Sequence, residues 1–152
     1  MAQQSFEDLV TNNCAKAGGN IAKLNDKQAM LKFNMDSGIE QILYITKYDS
    51  ILNFSVPSAA VFDSLEEIPH IISSILLTKN AAYKLGEWCV EKIQGKMVYC
   101  IMHNVDMNFV DSGYFVNLVS CLVSECDKFD GFLVETEVGC ANLSKLTVNI
   151  KQ

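Results

Sequence analysis

The chain has 152 residues, 49% of them apolar and 20% charged, with a mean hydropathy of +0.15. This composition excludes a disordered chain, and polar residues interrupt every apolar run before the roughly 18 residues that a membrane span needs. The formal charge of -6 sets 18 acidic residues against 12 basic ones, all lysine; with no arginine fork and the lysines scattered, neither nucleic acid nor an anionic membrane is expected as a partner.

The opening Met-Ala-Gln-Gln-Ser-Phe-Glu-Asp has no basic and apolar leader, so a cytoplasmic protein without a secretory signal is expected. Ser5 caps a first helix with Asp8 three residues on; Phe6, Leu9, Val10, Cys14 and Ala17 fall on one face, and Gly18-Gly19 ends it. After a polar stretch the period becomes two. Leu31, Phe33 and Met35 alternate with Lys32 and Asn34, and Asp36-Ser37-Gly38 turns the chain. In the next strand Leu43 and Ile45 alternate with Ile42, Tyr44 and Thr46, so both of its faces are partly apolar. Asp49-Ser50 turns again, and Leu52, Phe54 and Val56 follow until Pro57 stops the strand. Turns this short join antiparallel neighbours.

Ser64 with Glu67 reads as a capping box for a second helix, with Pro69 in its first turn and an apolar stripe of Ile68, Ile71, Ile72, Ile75 and Leu76. Residues 84–93 and 96–104 then form a hairpin about the two-residue turn Gln94-Gly95. That turn sets Trp88 opposite Ile101, Val90 opposite Tyr99, Cys89 opposite Cys100 and Glu91 opposite Val98. One face is strongly apolar through Trp88, Val90, Tyr99 and Ile101. The other is apolar through Val98, Cys100 and Met102. Asp111 or Ser112 caps a third helix whose face of Phe115, Leu118, Val119, Leu122, Cys126 and Phe129 runs to a stop at Gly131. Residues 132–137 and 146–150 alternate like strands. The order helix, three-stranded antiparallel meander, helix, β-hairpin, helix gives the α+β class. Residues 1–131 form one domain, and 132–152 a C-terminal extension, either a hairpin or a mobile tail.

Several stretches carry a family resemblance. They are Ile51-Leu52-Asn53-Phe54-Ser55-Val56-Pro57, Glu67-Ile68-Pro69, Leu76-Leu77 to Asn80, and the hairpin from Gly86-Glu87-Trp88 through Gly95-Lys96-Met97-Val98-Tyr99. Together with the helix ending Glu125-Cys126-Asp127-Lys128-Phe129, they resemble YbjN-like proteins over residues 39–130. The resemblance implies a type III secretion chaperone-like fold, an α+β unit that pairs as a homodimer and binds extended segments of client proteins. Many such proteins carry only a general label as sensory-transduction regulators. The resemblance brings no catalytic residue.

The chemistry-bearing residues are few. Phosphate-binding and nucleophile-elbow motifs are missing. Of the six cysteines at 14, 89, 100, 121, 126 and 140, Cys89 and Cys100 form the sharpest pair. Their hairpin register sets the Cβ atoms about 5 Å apart, as a redox-sensitive pair or half of a zinc site would need. His103 lies an odd number of residues from Cys100, so a regular strand turns it to the other face; no metal or other cofactor is expected. His70 beside Pro69 reads as a surface or packing residue. Glu66-Glu67 and the Asp106 and Asp111 carboxylates read as caps and helix-dipole partners.

The leading expectation is a non-enzymatic interaction module, chaperone- or adaptor-like, that binds a protein client as a homodimer. Val98, Cys100 and Met102 are its expected partner or dimer surface, and the edge of the meander is a place for strand addition. The alternative is a small-ligand or thiol-redox sensing regulator that uses Cys89 and Cys100.

Overall fold

The computed structural model describes residues 3–135. Ser5 accepts a hydrogen bond from the Asp8 N–H at 3.1 Å and so caps α1 (Phe6–Asn13). A short 3-10 turn follows and ends at Gly18, whose φ of 84° a side chain would resist. Then come β1 (Asn20–Leu24), β2 (Gln28–Asn34), β3 (Glu40–Tyr48), β4 (Ile51–Phe62), α2 (His70–Asn80), β5 (Glu87–Ile93), β6 (Lys96–Asp106) and α3 (Ser112–Glu135).

The strands form one antiparallel sheet in the order β1-β2-β3-β4-β6-β5. This is a mixed α+β fold in which meander and hairpin share a single sheet. The turn Gln94-Gly95 has positive φ at both residues, 49° and 81°, as a tight hairpin turn demands. The hairpin register is the one its length dictates, with Trp88 on Ile101 and Cys89 on Cys100.

All three helices pack against the same side of the sheet, but of the apolar stripe expected on α2 only Ile72 and Leu76 are buried, while Ile71 and Ile75 are 64% and 41% exposed. Leu31, Leu43, Phe54, Trp88, Tyr99 and Ile101 join residues of α1, α2 and α3 in one core. Phe54 meets Phe115 edge-on at 5.8 Å, and Phe129 lies against Trp88 and Tyr99 at 4.8 and 5.9 Å. The periodic face of α3 from Phe115 to Phe129 is entirely buried.

The structure departs from the sequence reading in several places. The polar stretch before β2 contains β1, an exposed edge strand whose register slips between Ile21 and Lys23; the bulge erases the period-two signal. Pro57 does not end β4. Its pairing with β3 stops at Tyr44–Ser55, while β4 follows β6 on to Phe62. Pro57 therefore stands where β4 has left one neighbour, and its missing N–H costs no ladder bond on that side. The Ser64–Glu67 box does not start α2. Ser64 makes no side-chain cap and heads a separate 3-10 turn, and Ile68 is extended at φ -70°, ψ 123°. Pro69 disfavours the helical conformation in the residue before it, and α2 begins only at His70.

Gly131 does not stop α3, which continues to Glu135. Burying Leu133 to 3% exposure is worth roughly 1.5–3 kcal/mol, more than the roughly 1 kcal/mol that a glycine costs inside a helix. Residues 132–135, expected as part of a strand, are thus helical, while the rest of the expected tail, 136–152, lies outside the described residues. Val90 is 38% exposed rather than buried, because edge strand β5 extends beyond the helices' cover.

The split between β3 and β4 is bridged by one carboxylate. Asp130 of α3 is 2% exposed. Its Oδ1 accepts the Ala59 N–H from the β4 bulge at 2.8 Å, and its Oδ2 accepts Gln41 Nε2 from β3 at 2.8 Å. Ser58 Oγ accepts the Ala60 N–H at 3.1 Å, so the bulge's backbone donors are met by side chains. Burial pushes the Asp130 carboxyl up to about 6; the Ala59 and Gln41 hydrogen bonds oppose that shift without cancelling it.

The folded value lies above the unfolded value near 3.8. Asp130 therefore stabilises the fold fully below pH 3.8, and that contribution is lost as the pH rises through 6. The loss is on the order of 3 kcal/mol. Asp130→Asn should remove this part of the pH dependence, because its Oδ1 still accepts from Ala59 and its amide can donate to a turned Gln41. Urea unfolding of both proteins at pH 4 and pH 7 tests this: the wild type should lose more stability than the variant over that interval, and equal losses would contradict it.

Candidate functional site

Alternation along the strands turns a second set of residues away from the helices. They are Met30 on β2, Ile42 and Tyr44 on β3, Ser55 and Pro57 on β4, Val98, Cys100 and Met102 on β6, and Glu87, Cys89 and Glu91 on β5. Among the described residues no helix packs on this side.

The three residues expected to form a partner surface behave differently. Val98 is 4% exposed and Cys100 is inaccessible, yet both stand apart from the main core. Val98 lies between Val61 and Glu91, and Cys100 between Pro57 and Cys89. Met102 is half-buried and keeps accessible surface. The meander supplies more: Tyr44 is 41% exposed, and Met30 and Ile42 are half-buried. The sequence signal for these was the apolar character of Ile42 and Tyr44 between core positions.

The edges of the sheet are less open than its face. β1 pairs with β2, so the meander edge expected to accept a strand is already occupied. At the other edge, Asn80 of α2 accepts the Trp88 N–H at 2.6 Å and donates to the Trp88 carbonyl at 3.0 Å. An asparagine there takes the place of a neighbouring strand. A second apolar surface lies on α2, where Ile71 and Leu77 are 64% and 66% exposed.

Cys89 and Cys100 face each other in register, and both are free thiols. Cys89 Sγ donates to the Cys100 carbonyl at 3.6 Å, and Cys100 Sγ to the Val98 carbonyl at 3.7 Å. Burial first, then Glu91 and Glu87, pushes the Cys89 thiol up to about 12. Burial and then Glu91 raise Cys100 as well. Both stay protonated at neutral pH, and a thiol, unlike a thiolate, is a poor nucleophile and metal ligand.

His103 lies on the helix side of the sheet. Its Nδ1 accepts the Gly86 N–H at 3.3 Å, which leaves Nε2 as the protonated nitrogen facing Tyr114 Oη at 2.9 Å. Burial lowers its pKa, with Glu87 opposing. Gly86 is required at this point: its φ is 82°, and a Cβ would sit 2.5 Å from Leu122.

No group of three or more His, Cys, Asp or Glu side chains among the described residues is arranged to hold a metal ion. His70 is exposed at the start of α2. The paired carboxylates are caps: Asp106 accepts the Asn108 N–H at 2.9 Å, Asp111 accepts the Tyr114 N–H at 2.7 Å, and Glu67 accepts the Asp63 N–H at 3.2 Å. An open cleft of about 460 Å³ at the far end of the sheet is lined by Ser5, Glu7, Asp26, Lys47 and Asp49 among others. Three carboxylates and one lysine there form no nucleophile–base pair.

Among the described residues no helix is long and apolar enough to cross a membrane. No protein-family model matches this chain, and neither does any curated protein.

The thiol chemistry is directly measurable. Raising Cys89 from 9.0 to about 12 should slow its alkylation at pH 7.5 about a thousandfold relative to an ordinary thiol. Mass-resolved labelling with iodoacetamide should find Cys89 and Cys100 unmodified in the folded protein and modified once it is unfolded in urea. Rapid labelling of Cys89 in the native state would contradict the assignment.

Proposed function

We propose that this chain is a non-enzymatic interaction module, adaptor- or chaperone-like, that presents its open sheet face to a polypeptide partner. The observation that carries this reading is the one-sided packing, which leaves Met30, Ile42, Tyr44 and Met102 with accessible surface on a face that no described helix covers. A patch of this kind marks an interaction surface more often than an idle one. The guarded edges favour the face over strand addition. On the resemblance of residues 39–130 we also propose a YbjN-like, type III secretion chaperone-like fold; the mixed α+β arrangement supports this at the level of class, and β1 adds a fourth strand to the expected three-stranded meander. Five described free cysteines suit the reducing cytoplasm. Thiol-redox sensing through Cys89 and Cys100 has less support, since both thiols are held protonated.

Two substitutions separate folding from binding. Met102→Asp should cost about 1 kcal/mol or less, as a surface change does, and should abolish binding. Val98→Asp buries a charge and should destabilise the fold by 3 kcal/mol or more, in the range of buried unpaired charges. The reading is tested by placing a photo-crosslinking phenylalanine at Tyr44 and, as a control, at Ser120 on the exposed side of α3. In the native cytosol, position 44 should give discrete adducts with a polypeptide and position 120 none. The adducts should disappear when Met102→Asp is added. Absent adducts, or equal adducts at both positions, would count against the proposal.

A further inference from the structure

The open face carries a patch of accessible apolar side chains: Met30 on β2, Ile42, Tyr44 and Tyr48 on β3, Ile51 on β4 and Met102 on β6. Tyr48 and Ile51 are 63% and 39% exposed and stand opposite each other in register; alternation puts them on the same side as Tyr44. Across the strands the patch runs from Met30 through Tyr44 and Ser55 to Met102, three strand spacings or about 14 Å. Along β3 it runs from Ile42 to Tyr48, six residue steps or about 20 Å.

Those dimensions match one α-helix. A helix with its side chains is about 10–12 Å across, and 20 Å of it is about 13 residues. A second sheet is too wide for the patch and would lie on its charged margins as well, where Lys23 stands opposite Met30 and Glu87 opposite Met102. An extended segment fits worse still. A sheet face presents side chains, so an extended chain laid on it leaves its own N–H and C=O groups without partners. The amide of Asn53 beside the patch is already committed, donating to Asn104 Oδ1 at 2.8 Å. A helix satisfies its backbone internally and needs only side-chain contact, as α1, α2 and α3 do on the opposite face.

The margins define the rest of the occupant's chemistry. On the β1 side Lys23 is exposed, while Lys32 is paired with Glu40 at 3.7 Å. On the β5 side stand Glu87 and Glu91, and Lys96 is paired with Asp63. A helix lying along the strands over β3 and β4 is therefore matched by carboxylates on its flank toward β1 and by cations on its flank toward β5. Turning such a helix end for end exchanges its flanks while the apolar stripe stays against the sheet. The order of the two flanks thus fixes the direction in which the helix runs.

Resting on the reading of this face as a protein-binding surface, we infer that its occupant is an amphipathic helix of a partner protein, about 13 residues long, with carboxylates along one side of its apolar stripe and basic residues along the other.

The test uses the purified full chain at low salt and a synthetic fluorescent peptide of about 14 residues. The peptide has a leucine stripe at helical spacing, glutamates on one flank and lysines on the other. Anisotropy should show saturable binding, and circular dichroism a gain of helix on mixing. Two peptides of the same composition should each bind about tenfold more weakly: one with its leucines at strand spacing, one with its charges mixed on both flanks. Met102→Asp should abolish binding. Lys23→Glu and Glu87→Lys together reverse both margins, and both sites are exposed, so thermal melting should not move. This double variant should bind the first peptide turned end for end, and a photo-crosslinker at the peptide's N-terminus should shift from one end of β3 to the other. Equal binding of the helical and strand-spaced peptides overturns the helical occupant, as does a crosslinker that keeps its place after the reversal. So does binding lost through Ile71→Asp but not Met102→Asp, which places the contact on α2. Adducts from position 44 in the cytosol without any peptide binding overturn the helix and leave the interaction reading intact. The absence of both overturns both.

Discussion

A buried carboxylate closes the place where the central strand β4 leaves its neighbour β3. Asp130 reaches from α3 into the gap where β4 parts from β3, and it accepts one hydrogen bond from each strand. A bulged central strand leaves backbone donors that water cannot reach, and each would cost about 1–3 kcal/mol if unmet. With Asp130 and Ser58 in place, β4 runs beside β3 for its first half and beside β6 for nearly all its length. That double allegiance joins the meander to the hairpin. A carboxylate does this better than an amide would in one respect, since both of its oxygens accept and neither competes as a donor. The cost is an acid left 2% exposed, with no cation among its hydrogen-bond partners.

A single sheet with three helices has a geometric consequence. Each helix buries one stripe, and all three stripes are spent on the same side. The opposite side has to manage alone. It does so partly by size: Ser55, Cys89 and Cys100 are small, and the strands on either side close over Val98 and Cys100. Tyr44 and Met102 stand higher and keep their surface. The margins are treated differently from the centre. β1 is short and bulged and carries Lys23, and β5 has an asparagine across its outer backbone. These are devices against indiscriminate strand pairing. They leave the face as the surface that the proposed interaction role would use.

The elements that sequence alone revealed are those in which one local rule dominates. The two-residue turn Gln94-Gly95 dictates the whole hairpin register, and the apolar spacing from Phe115 to Phe129 dictates α3. Where two rules compete, the reading was incomplete. Pro57 signals a strand end, but a strand that has shed one neighbour tolerates it. Ser64 and Glu67 signal a helix start, but Pro69 makes Ile68 extended. β1 has no burial pattern to read. Asp130 lies four positions after Cys126 and seven after Val123, both buried. A carboxylate on an apolar stripe was the available sign of a buried polar contact. Of the expected surface residues, Met102 was legible from alternation alone. The closure of Val98 and Cys100 was not, because it depends on β4 lying beside β6, a long-range pairing that no local pattern encodes.

The same closure bears on what the face can do. A thiol pair at a solvent-facing surface invites oxidation, metal capture or nucleophilic chemistry, and each requires a thiolate. Here burial and the neighbouring glutamates act in the same direction, keeping Cys89 and Cys100 protonated. The glutamates that suppress thiolate formation also make the β5 margin negative, while Lys23 makes the β1 margin positive. One arrangement of charge therefore disfavours chemistry at the centre of the face and polarises its margins. For the interaction role proposed above, a quiet, partly apolar middle with opposite charges at its two sides would let the face orient a protein lying across it.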